Sequence, residues 1–117
     1  MTRNEYQVSK QAVLANGSYS TLHTVNCARW MRVANIHLAN TGATDQTVRL
    51  CRVISGGAAG TSNALLYDFT VPANDFIEFG EGLMLGPKDS LQGSADAANA
   101  IVATLGGVEF GGLDAGA

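Results

Sequence analysis

Turn-forming residues divide this chain into short, β-prone apolar runs at intervals of roughly 8 to 14 residues, the spacing of a sandwich or barrel. The runs are Val8 to Ala15, Ser18 to Val25, Trp30 to Ala39, Thr47 to Ile54, Leu65 to Val71, Phe76 to Phe79, Leu83 to Leu85, Ser90 to Gln92 and Ala100 to Leu105. The last resumes at Val108 to Phe110, beyond Gly106-Gly107. Within them apolar and polar residues alternate, as in Ala34, Ile36 and Leu38 against Asn35 and His37, which places one set on a buried face. Asn16-Gly17 is a strong hairpin signal. Pro72 cannot donate to a ladder and ends the fifth run. Ser55 to Asn63 holds nine small or polar residues and reads as a mobile surface loop. Ser94 to Ala100, rich in Ala, is too short for an isolated helix and reads as a turn. The expectation is a single-domain, all-β sandwich of jelly-roll type over residues 1–117, with 1–15 an N-terminal strand or arm and 111–117 a flexible tail.

Charge narrows the partners. Charged residues are 15% of the chain, against about 25% in ordinary globular proteins. Seven basic and ten acidic residues leave a net charge of -3, so no global field draws nucleic acid. A surface of Ser, Thr, Asn, Gln, Gly and Ala suits a protein that covers itself with copies or partners, where charge is depleted. No apolar run approaches the roughly 20 residues of a membrane span. No apolar segment follows the first residues as in a signal peptide. The expectation is therefore synthesis in a cytoplasm, with no membrane partner. Cys27 and Cys51 lie 24 residues apart without a CxxC motif and read as buried free thiols. Spacing alone leaves a disulfide between them open.

The sequence offers no catalytic, cofactor-binding or metal-binding residues, and the expectation is a protein that is not an enzyme and carries no cofactor. His23 and His37 belong to no metal-ligand spacing and read as structural or surface residues. Cys27 near Arg29 lacks a local base for nucleophilic chemistry. Asp75 and Asp89 each close a Pro-containing turn, where their carboxylates accept backbone N–H groups and fix the strand entry. Glu78, Glu81 and Glu109 read as rim charges. Gly56 to Thr61 lacks the lysine of a phosphate loop, and Gly80 to Gly86 leads into no helix. Arg29, Arg32, Arg49 and Arg52 read as a local patch on two adjacent strands, paired with acidic neighbours or a partner subunit. Arg49 and Arg52 point to opposite faces of their strand.

Several segments together resemble a known group. One is Val33 to Gly42, closing on Asn40-Thr41-Gly42, followed by Gln46 to Leu50. The others are Ala64 to Asp75, with Leu66-Tyr67 and Val71-Pro72-Ala73-Asn74-Asp75; Gly82 to Gln92, with Leu83, Leu85, Pro87, Asp89 and Leu91; and Val102 to Glu109. This pattern resembles small virion structural proteins of tailed bacteriophages over about residues 20 to 110. Its motifs are turn and strand signatures and carry no catalytic residue. The resemblance implies a virion component made in the host cytoplasm. The leading expectation is a capsid decoration or cement protein that binds the major capsid protein as a homo-oligomer, a trimer. A neck, tail or fibre-attachment component is the alternative. A carbohydrate-binding sandwich, with Trp30 as its one Trp platform, is the second alternative.

Overall fold

The computed structural model describes residues 5–79, 82–97 and 100–111. Nine strands form two antiparallel sheets. They are β1 (Glu5–Val13), β2 (Ser20–Thr24), β3 (Trp30–Asn40), β4 (Gln46–Val53), β5 (Ala64–Val71), β6 (Phe76–Phe79), β7 (Leu83–Leu85), β8 (Ser90–Ala95) and β9 (Ile101–Phe110). Sheet A has the order β1-β9-β3-β6, with β7 also paired to β3; sheet B has the order β2-β8-β4-β5. The all-β sandwich expected from the alternation is the fold observed.

The core lies between the sheets. Met31, Val33, Ile36 and Leu38 of β3 and Ile101, Ala103 and Leu105 of β9 face Val48 and Leu50 of β4 and Leu91 of β8, all buried. Burying a Leu or Ile side chain of this kind contributes about 1.5–3 kcal/mol. Val33 and Ile36 are three apart yet both face inward, which strict alternation forbids. A bulge between Val33 and Asn35 in the ladder with β9 restores the phase. A second irregularity sets Val48 opposite Phe69 but Leu50 opposite Leu66, and Asp68 takes a left-handed backbone (φ 53°) within that shift.

Two local expectations are corrected. Asn16-Gly17 does not close a hairpin, because β1 pairs with β9 while β2 pairs with β8. Leu14 is drawn into the core between them and Asn16 bridges to Ala95, so this turn carries the chain from one sheet to the other. β9 does not break at Gly106-Gly107 but continues to Phe110. Gly107 is required there: a Cβ would stand 2.5 Å from the Arg32 carbonyl and 2.8 Å from Met31 Cε. Ser55 to Asn63 lies on the surface as expected and carries internal hydrogen bonds. Gly57 N bonds Ile54 O, Asn63 donates to Ala58 O and accepts from Gly60 N, and Cys51 Sγ donates to Gly60 O.

The turn motifs have structural work. Buried Asn40 donates to the carbonyls of Thr44 and Val71 and accepts from Gly42 N, tying the β3–β4 turn to the end of β5. Asp89 accepts from Ser55 N and Gly86 N, and Asp75 from Phe76 N, as expected of strand-entry carboxylates. Residues 1–4 of the expected arm and 112–117 of the expected tail lie outside the described residues.

Candidate assembly surface

Because β9 continues past Gly107, Glu109 falls on the inward face, opposite Tyr6 and Met31. It is 3% exposed, so the expectation of a rim charge is overturned. A buried carboxylate must be compensated. Its Oε2 lies 2.5 Å from Nε2 of His23, on the other sheet, and its Oε1 accepts from Arg29 Nη1 at 3.2 Å. The Arg29 guanidinium sits 3.4 Å from the centroid of the Tyr6 ring. One acid thus joins β9 of sheet A, β2 of sheet B and the β2–β3 loop, while Tyr6 covers the cation. His23 has the structural role expected of it.

The other polar residues are distributed rather than gathered. His37 Nδ1 lies 2.9 Å from Glu78 Oε2, which also accepts from Asn35, and the His37 ring stacks on Phe76 at 4.7 Å. The four arginines form no single patch, because β3 and β4 belong to different sheets. Arg29 pairs with Glu109, Arg49 with Asp68 and Arg52 with Asp89, while Arg32 is exposed on β3. Cys51 is buried as expected, Cys27 is exposed instead, and both are free. Glu81 lies outside the described residues. Among the described residues, no three His, Cys, Asp or Glu side chains gather as a metal site would need. Among the same residues, no helix is long and apolar enough to cross a membrane.

What the fold leaves open is its edges. Among the described residues, β5 pairs only with β4, and β6 only with β3. The Pro72 turn joins them from one sheet to the other, so they border the same side of the sandwich. That side exposes Leu65, Tyr67, Phe69 and Phe76, the last at 53%. Soluble proteins guard such edges with Lys, Pro or bulges. Residues 64–71 contain neither Lys nor Pro; their one guard is the bulge at Asp68, the one charge of the segment, which is taken by Arg49. At the opposite border β1 pairs, among the described residues, only with β9 and is exposed along most of its length. Trp30, 51% exposed, lies against Gly86, where a Cβ would stand 3.4 Å from its ring. Sequence reasoning missed the β5–β6 side because Leu65 to Val71 reads only as a strand, and its place at an edge comes from the strand order.

No family model matches the sequence, and the curated proteins contain no significant relative of it. Solved structures share its fold. A chain from Bacillus endospore appendages, described as disulfide-linked pili, superposes with a TM-score of 0.55 at 16% identity, covering 97% of this chain and 90% of that one. A chain of the T13 particle of infectious bursal disease virus gives 0.58 at 10% identity; 92% of this chain is covered, which spans 30% of the viral one. A chain of the capsid of the Helicobacter pylori bacteriophage KHP30 gives 0.51 at 13% identity, covering 93% of each chain.

Proposed function

We propose that this protein is a virion structural component that acts by assembly: a decoration or cement protein that clasps a formed capsid shell as a closed homo-oligomer, a trimer. The observation that carries the reading is the exposed apolar side of β5 and β6 on a sandwich whose likeness extends to capsid chains. The bacteriophage KHP30 chain favours a small component, since coverage of 93% in both directions means a chain of nearly this size. The strand order, 1-9-3-6 facing 2-8-4-5, supports reading the sandwich as a jelly roll.

The mechanism is non-catalytic linkage. A ligand that binds only the assembled shell stabilises it by mass action. A closed oligomer engages several shell subunits at once, so modest single contacts give strong retention. Apolar side chains at the β5–β6 side supply the contact, and the low surface charge removes the desolvation cost that Lys and Glu would impose there.

The likeness to the Bacillus appendage chain favours a second reading, open head-to-tail assembly into a filament. Native mass spectrometry, electron microscopy and co-sedimentation with shells separate the two. The decoration reading expects one closed oligomer that sediments with shells and stabilises them against heat. It also expects the Tyr67→Ser, Phe69→Ser, Phe76→Ser triple variant to fold but stop sedimenting. Filaments of the protein alone would support the second reading; a monomer that ignores shells would overturn both.

A further inference from the structure

We propose that the outer face of sheet B carries a binding site for one neutral sugar ring, between β4, the end of β8 and the Asn16-Gly17 turn. A pocket of about 230 Å³ opens there. Its rim is fixed by backbone bonds: Gly17 N to Ala95 O at 3.1 Å and Asp96 N to Thr47 O at 3.1 Å.

Six polar side chains converge on it: Asn16, Thr47, Arg49, Asp68, Ser94 and Asp96. Arg49 and Asp68 are set in advance. Arg49 Nε donates to Asp68 Oδ1 at 2.6 Å and Nη2 to Oδ2 at 3.3 Å, with the guanidinium over the Tyr67 ring. The left-handed backbone of Asp68, which costs a non-glycine residue energy, aims the carboxylate at that arginine. The Ser94 hydroxyl and the side chains of Asn16, Thr47 and Asp96 line the pocket and make no side-chain bond to another described residue, so all four are free to meet a ligand. Their polar atoms stay open to water in the pocket, where the hydroxyls of a ligand can replace it.

The chemistry of that occupant follows from the groups. One cation and two carboxylates repel an anion. Two carboxylates accept, Asn16 and Arg49 donate, and two hydroxyls do both, the pattern that vicinal sugar hydroxyls complement. The volume falls below the roughly 300–1,000 Å³ of sites for drug-sized ligands, so one ring fits rather than an extended chain. A single ring held by hydrogen bonds in an open pocket binds in the millimolar range. Trp30 plays no part, so this site is independent of the carbohydrate reading drawn from the sequence; it borders the assembly surface, sharing Asp68 of β5 and the Arg49–Tyr67 contact with it.

The test is a titration of the ¹⁵N-labelled full chain with methyl glycosides of glucose, galactose, mannose and N-acetylglucosamine, and with sialic acid, read by amide shifts. The expected result is saturable shifts at residues 16–17, 47–49 and 94–96 with at least one neutral sugar. Asp96→Ala and Thr47→Val should each weaken that binding tenfold or more while keeping the wild-type spectrum elsewhere. Absence of saturable shifts with every neutral sugar, shifts centred on Trp30, a preference for sialic acid, or undiminished binding by both variants would each overturn the proposal.

Discussion

Glu109 and His23 meet across the sandwich: Oε2 of the glutamate on β9 lies 2.5 Å from Nε2 of the histidine on β2, and both side chains are largely shielded from water. The contact links the two sheets through side chains where no backbone ladder connects them.

Glu109→Ala therefore strands Arg29 and His23 beside a cavity. Breaking a buried pair from one side costs about 3–5 kcal/mol, and the partial exposure of Arg29 lowers the expectation here to about 2–4 kcal/mol. Urea unfolding followed by fluorescence measures it; a loss under about 1 kcal/mol would mean that the cluster holds nothing.

The neighbouring glycines make a matched pair. A methyl group at Gly107 meets the Arg32 carbonyl at 2.5 Å, whereas at Gly106 its nearest atom is Asn35 Oδ1 at 3.5 Å. Gly107→Ala is expected to cost about 1–3 kcal/mol through overpacking, and Gly106→Ala to lie within about 0.5 kcal/mol of wild type. Equal effects in the two variants would contradict the close approach of β9 to β3.

Asn40 is a third anchor. Asn40→Ala removes two donated bonds and one accepted bond at a buried site, leaving the carbonyl of Val71 short of a partner. About 2–4 kcal/mol of destabilisation is expected, with Asn40→Asp failing to restore it because a carboxylate cannot donate to those carbonyls. Full recovery in the Asp variant would refute the assignment.

The hydrogen bonds from Arg49 hold the Asp68 carboxyl below its ordinary value of 3.8. A carboxyl lowered in the folded state stabilises above its unfolded value, and that contribution is lost as pH falls through the folded one. Asp68→Asn, which tolerates the same left-handed backbone, should be less stable than wild type near about pH 7 and converge with it below about pH 4. A stability gap independent of pH would contradict the pairing.

Much of the sandwich was legible in the sequence because alternation and turn residues act locally. Ile36 and Leu38 announce a buried face, and Asp89 announces a strand entry, from a few neighbouring residues. The strand order was not legible, since β1 finds β9 and β2 finds β8 across most of the chain. Asn16-Gly17 misled because a turn signal states that the chain bends, not which strand it then joins. Glu109 was misread for a related reason. Its inward direction depends on β9 running unbroken past two glycines, and its partners His23 and Arg29 lie 86 and 80 residues away. The sugar pocket was equally hidden, being assembled from β4, β5, β8 and a turn that the topology alone brings together.

The central claim is that this chain is a stoichiometric part of a particle. Its copy number in purified virions, measured by quantitative mass spectrometry against the major shell protein, tests that most directly. The account predicts a ratio comparable to that of the shell protein. A few copies per particle would move the protein to the neck or tail, and absence from the particle would contradict the account.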